Sequence, residues 1–215
     1  MRVVSKFDLK ENNFKIVSMN IKEVLALDEG PARTAALVAW LQGLFDEGSV
    51  PVVVGGAAVE LYTGGAYTTG DIDLVGSVSP RAAQALKKVG FDRHGRHWVL
   101  ESAQVFVEFP GEALDPDEKS SWLEFEGHRV RVISIEDLLV DRLGAWEYWQ
   151  SALDDVNALF LWRAQRESID DERLERRVSR AGWQKALKSL VQFAEKWVPD
   201  GPPTEEVERW ANAGP

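Results

Sequence analysis

Residues 53–75, VVGGAAVELYTGGAYTTGDIDLV, leave the chain little freedom in how it can fold. An apolar run ends in Gly55-Gly56 and a short helical stretch follows. After a second glycine-rich turn the chain returns as Asp71-Ile72-Asp73-Leu74-Val75, again an apolar strand. A glycine turn and two carboxylates thus lie within about twenty residues of each other.

Alternation along a strand sends residues two apart to the same face. Asp71 and Asp73 therefore project together, while Ile72 and Leu74 point into the core. Carboxylates about 7 Å apart at their bases can converge at their tips on a divalent ion. Unpaired they repel, so a cation is expected between them. Mg²⁺ (or Mn²⁺) suits, because it takes oxygen ligands and still bridges substrate phosphates. The alternative for an isolated Asp-x-Asp is a strand end carrying two solvated acids.

A third acid completes a two-metal set. Glu108 is the candidate, because it closes the apolar run Gln104-Val-Phe-Val-Glu-Phe, where a carboxylate is costly unless paired or metal-bound. It can also be read as an edge-strand residue, with Glu112 and Asp115 as weaker candidates on the following loop. Two ions about 3.5–4 Å apart would point to in-line displacement at phosphorus.

Gly55-Gly56 stands where a strand meets a helix N-terminus, and glycine lets the backbone approach an anion closely. Thr68 and Thr69 precede the acids and either bond phosphate oxygens or form the turn. No Gly-Lys-Ser/Thr follows the glycines and no G-x-G-x-x-G is present, which sets aside the P-loop and the dinucleotide fingerprint.

Around this centre the chain reads as α/β, a mixed sheet with flanking helices plus a C-terminal helical region. Helices are expected over 20–28, 31–47 and 80–89, the last with Ser79 as N-cap and Gly90 as stop. Strands are expected over 51–54, 71–75, 98–100 and 104–109, followed by a hairpin of 122–126 and 129–133 about Gly127-His128. Residues 1–18 suggest no element. From Ser134 the pattern turns helical, over 135–145, 148–166, 170–181, 184–197 and 204–212. Two domains follow, 1–134 and 135–215.

The balance of 25 basic and 35 acidic residues, net −10, gives no global attraction to a phosphate backbone. Cysteine is absent, which removes disulfides and Cys-based zinc sites. The N-terminus lacks a signal-peptide core, and no apolar run approaches bilayer-spanning length, so a soluble cytoplasmic protein with no membrane partner is expected.

Gly55-Gly56, then Thr68-Thr69-Gly70-Asp71-Ile72-Asp73-Leu74, then Glu108 resembles the nucleotidyltransferase fold of the DNA polymerase beta superfamily. Within it the motifs are most similar to AbiEii-like nucleotidyltransferases, the toxins of type IV toxin–antitoxin systems. Ile135-Glu-Asp-Leu-Leu-Val-Asp-Arg-Leu and Asp154-Asp155-Val-Asn-Ala-Leu look like that group's post-sheet helices. The resemblance spans roughly 50–165. It implies metal ligation by Asp71, Asp73 and Glu108, and triphosphate binding by Gly55 and Gly56. Arg142 falls where a lysine is common, and is either a phosphate contact or a surface helix charge. A basic residue usual shortly before the threonines is replaced by Ala66-Tyr67. The implied activity is Mg-dependent transfer of a nucleoside monophosphate from an NTP to an acceptor hydroxyl (tRNA, protein or small molecule), with an antitoxin protein as partner. Two other readings stand beside it: a non-catalytic interaction protein on the same fold, and a sugar-nucleotide transferase.

The run Arg93-His94-Gly95-Arg96-His97 is the densest cationic cluster near the sheet, and its histidines read as surface or hairpin residues. Arg173, Arg176, Arg177 and Arg180, interleaved with acids, read as a solvated helix with internal ion pairs. The tryptophans of the helical half read as packing between helices or as an aromatic platform.

Overall fold

The computed structural model describes residues 2–4, 20–149 and 151–215. Residues 5–19, and Gln150 within the helix expected over 148–166, lie outside the described residues. The chain divides into two compact units, Met1–Ser134 and Ile135–Pro215.

The first unit is built on eight described strands: β1 (Arg2–Val4), β2 (Val52–Val54), β3 (Ile72–Val75), β4 (Asp92–His94), β5 (His97–Leu100), β6 (Val105–Glu108), β7 (Ser120–Phe125) and β8 (His128–Ile133). They form one mixed sheet in the order β1-β7-β8-β2-β3-β6-β5-β4. The pairs β2/β8 and β3/β6 are parallel, and the other neighbours run antiparallel. The expected α/β class, a mixed sheet with flanking helices and a helical C-terminal region, is the fold the chain adopts.

Helices α1 (Ile21–Leu25), α2 (Pro31–Gln42), α3 (Gly55–Thr63) and α4 (Pro80–Val89) complete this unit. Asn20 caps α1 in a capping box with Glu23. Ser79 caps α4 through Ala82 N–H, and Gly90 ends it in the left-handed conformation. Helix α2 stops at Gln42 rather than running to 47, with Gly43 as its C-cap. The buried Gln42 side chain then bridges helix and sheet, donating to the Pro51 and Arg131 carbonyls at 2.9 and 2.7 Å and accepting from Arg131 N–H at 2.8 Å. Tyr62, fully buried on α3, donates to the Ile133 carbonyl at 2.9 Å. These bonds let polar groups enter the core at little cost.

The β7–β8 turn is Glu126-Gly127, one residue earlier than the spacing suggests. Both turn residues have positive φ, 47° and 78°, as the tight twist of a two-residue hairpin demands.

The second unit contains α5 (Ile135–Trp149), α6 (Ala152–Gln165), α7 (Asp171–Ala181), α8 (Gln184–Lys196) and α9 (Thr204–Ala213). Trp146 is buried and meets Trp210 at 4.7 Å, and Trp210 stacks on Phe193 at 4.6 Å, so these rings pack between helices. The solvated reading of α7 is corrected on one face. Arg173 bonds Glu136 at 3.0 Å and Asp137 at 2.5 Å, and Arg177 bonds Asp137 at 2.8 Å. Asp137 is wholly buried there, so the pairing is a constraint on how α7 lies against α5. Arg176, paired with Glu172, keeps the exposed role.

Asp155 on α6 is also fully buried. Its Oδ1 accepts from Val156 N–H, and Oδ2 has no partner among the described residues. Burial pushes its pKa up from 3.8 to about 7, opposed by backbone hydrogen bonds and assisted by the neighbouring Asp154 charge. The folded chain thus retains a proton that the unfolded chain releases near pH 4, so stability falls as pH rises from about 4 to about 7. Asp155→Asn should therefore be more stable than wild type at pH 8, by at most about 4 kcal/mol, and the difference should close by pH 4. Denaturant unfolding across that range checks this, and a gap independent of pH contradicts it.

Candidate functional site

Strand β3 lies at the centre of the site. Along it Ile72 and Leu74 are buried and Asp73 and Val75 are less so. The same alternation on β6 buries Val105 and Val107 and turns Phe106 and Glu108 outward. On β5 it buries Trp98 and Leu100 and turns His97 and Val99 outward. Register joins these outward residues across the sheet. Asp73 is opposite Glu108 on the parallel neighbour, Glu108 is opposite His97, and His97 is opposite His94. One open sheet face therefore carries Asp73, Glu108, His97 and His94 in a row. Asp71, immediately before β3, is exposed and joins the face by the same alternation. A cleft of about 590 Å³ is lined by Asp71, His94, His97, Val99, Phe106 and Glu108, together with Gly70 and Val107.

The two glycines are bound to this face sterically. Gly55 has φ +60°, and a Cβ there would fall 2.4 Å from Asp73 Oδ2. A Cβ on Gly56 would fall 2.7 Å from Thr69 Oγ1. The N-terminus of α3 is thus pressed against one acid and one threonine of the motif. Thr69 in turn donates its hydroxyl to Asp71 at 2.9 Å. Gly55, Gly56, Thr69, Asp71 and Asp73 form a contiguous group, and Thr68 stands in the adjoining loop.

Glu108 has partners of its own. Arg96 Nε meets one carboxylate oxygen at 2.8 Å and His97 Nε2 the other at 3.1 Å. Both come from the β4–β5 hairpin, the segment whose spacing suggests surface or hairpin residues. Among the described residues no group of three or more His, Asp or Glu side chains is arranged to hold a metal. Asp71 and Asp73 alone are two hard oxygen donors on one face. That fits Mg²⁺ held by one or two carboxylates plus substrate phosphates. Glu108 joins such a set only on leaving Arg96 and His97.

Arg142 lies in the second unit, on α5. Its guanidinium bonds Asp141 at 2.5 Å and Asp154 at 2.7 Å.

A second pocket opens beyond Thr69 and Asp71, lined on its inner side by Glu60 of α3. Glu60 is 1% exposed. Burial raises its carboxyl above the usual range, opposed by hydrogen bonds from Thr69 N–H and the Thr34 side chain. No motif marks Glu60; its sequence signal is only an acid inside an apolar helix that starts at the glycine pair.

No helix among the described residues is long and apolar enough to cross a membrane. No family model matches the sequence, and no curated protein matches it. Among solved structures it is loosely similar to an antigenic nucleotidyltransferase-like protein from Paracoccidioides brasiliensis, with a TM-score of 0.46 and 16% identity over 74% of this chain and 92% of that one.

The glycine contacts make a sharp expectation. Gly55→Ala should cost at least about 1–2 kcal/mol from left-handed backbone alone and more from the clash with Asp73. Gly70→Ala, with φ outside the left-handed range and open space where the methyl goes, should change stability by less than about 0.5 kcal/mol. Equal unfolding midpoints for the two variants would contradict the geometry.

Proposed function

We propose that the protein is a Mg-dependent nucleotidyltransferase of AbiEii-like type, moving a nucleoside monophosphate from an NTP to an acceptor hydroxyl. The observation that carries this is the seating of Gly55 against Asp73, with Asp71 and Asp73 on one open face beside the N-terminus of α3. A helix N-terminus offers unpaired N–H groups to an anion. Here the anion would be the triphosphate, held by backbone N–H groups at Gly55-Gly56 with Thr68 and Thr69 alongside. A magnesium ion bound by Asp71, Asp73 and the triphosphate would neutralise charge on the leaving pyrophosphate. The acceptor oxygen forms its bond to the α-phosphorus, the bond to the bridging oxygen breaks, and pyrophosphate leaves. Asp71, more exposed than Asp73, takes the hydroxyl proton and returns it to solvent. Positioning and charge supply most of the rate enhancement in such chemistry.

The acceptor is a tRNA end, a protein or a small molecule, and the narrower reading as a toxin with an antitoxin partner rests on the motifs alone. A second reading, a non-catalytic protein of the same fold, is favoured by one observation: Glu108 is already ion-paired with Arg96 and in contact with His97.

The two readings separate in solution. Calorimetry should detect each NTP only with Mg²⁺ or Mn²⁺ present, and pyrophosphate release should fall at least about 100-fold in Asp71→Asn and Asp73→Asn, with unfolding curves preserved. Undiminished release in both variants rejects the transferase reading. Absence of binding to any NTP selects the non-catalytic one.

A further inference from the structure

Glu108 stands between two neighbours across the sheet, Asp73 on β3 and His97 on β5. Each is one strand spacing away, about 4.8 Å. The carboxylate is engaged from the β5 side. Arg96 Nε meets Oε1 at 2.8 Å and His97 Nε2 meets Oε2 at 3.1 Å, so each oxygen has a partner. Backbone bonding sets this up: Phe109 N–H donates to the Arg96 carbonyl at 3.0 Å, which fixes the hairpin turn beside the end of β6. The other arginine of the hairpin is used differently. Arg93 donates to the Gly95 carbonyl at 2.9 Å and lies over the Trp98 ring at 5.7 Å.

Exposure is uneven across the contact. The Glu108 side chain is 18% exposed, against 62% for Arg96 and 48% for His97. An ion pair whose cation stands in water contributes little, and the guanidinium can swing into solvent at small cost. A carboxylate at the depth of Glu108 is costly without a counter-charge. Glu108 therefore exchanges one cation for another more readily than it stands alone. The competing position is on its other flank, where Asp73 lies opposite in register and Asp71 joins the same face.

We propose that Arg96 and His97 form a latch that competes with a divalent cation for Glu108. Closed, the open face offers the cation Asp71 and Asp73 only. Opened, Glu108 turns toward β3 and adds a third carboxylate. The hairpin thereby holds cation affinity down until an ion displaces it. The use of that ion in transfer rests on the nucleotidyl-transfer reading; the competition for Glu108 does not.

The test measures Mn²⁺ binding to the full chain without nucleotide, from the electron paramagnetic resonance of the free ion. Arg96→Gln should tighten binding about two- to fivefold. The gain should vanish when Glu108→Gln is also present, because the latch then has nothing to hold. Arg93→Gln removes an equal charge from the same hairpin without touching Glu108, and should give less than half the gain. Unfolding curves check that each variant folds. Binding by Arg96→Gln no tighter than wild type overturns the proposal. An equal gain in the Glu108→Gln background, or from Arg93→Gln, overturns it as well, since that marks a general charge effect. A contact that only pins β5 to β6 would lower the unfolding midpoint of Arg96→Gln and leave Mn²⁺ affinity unchanged. Pyrophosphate release from Mg-NTP is followed in parallel. Release without the Mn²⁺ gain rejects the latch and leaves the transferase reading standing, whereas the gain without release in any variant supports the latch and rejects the transferase.

Discussion

Asp73 is flanked by Val54 on one neighbouring strand and Glu108 on the other. That register is what the site depends on. The antiparallel pairing with β2 brings Asp73 level with the end of the strand that delivers Gly55. The parallel pairing with β6 brings a second acid onto the same face. A slip of one residue would turn Asp73 into the core and Leu74 toward solvent. Full burial of Leu74 and near-full burial of Ile72 and Val107 oppose the slip. Apolar packing on the hidden side of the sheet therefore decides where the charges stand on the open side.

Charges brought together this way must be neutralised, and the two units do so differently. On the sheet, Glu108 is met by Arg96 and His97 from the adjoining hairpin, both still substantially exposed. In the helical unit, Asp137 is met by Arg173 and Arg177 in nearly complete burial. The first arrangement is solvated and can be exchanged for another partner at modest cost. The second leaves a bare charge in the interior if broken, which makes it architecture. Asp155 follows a third course: with its carboxyl buried and short of partners, its proton stays on to about neutral pH.

How much could be read beforehand follows from how far apart the interacting residues lie in the chain. The α/β class, the Ser79 and Gly90 ends of α4 and the succession of helices after Ser134 are local patterns and were legible. The grouping of Gly55, Gly56, Thr69, Asp71 and Asp73 was legible for the same reason, being compressed into one strand–helix–strand passage. The partners of Glu108 were not. His97 faces outward because Trp98 faces inward, which the sequence permits one to infer, but that His97 stands opposite Glu108 depends on the β5–β6 register. The cluster of Arg93 to His97 is legible as a cationic surface or hairpin segment, and the hairpin is present, but its ion pairing with Glu108 is not legible. Arg173 and Asp137, 36 residues apart, defeated a reading built on neighbours three and four apart. Helix α2 stops early at Gln42 with Gly43 as its C-cap, and the Gln42 amide bonds the sheet across a separation that local spacing does not reveal.

The contact between Gly55 and Asp73 has an evolutionary corollary. With a hydrogen atom as the only side chain that the space allows, position 55 is tied to the acid as well as to its left-handed turn. A side chain at position 55 and the carboxylate at position 73 thus compete for the same space. A descendant that shed its acid for a small residue would free the turn to accept a methyl group on steric grounds, although the left-handed backbone would still resist it. Glycine kept there after loss of the carboxylate would be the mark of a backbone requirement, and glycine lost together with it the mark of a vanished steric one.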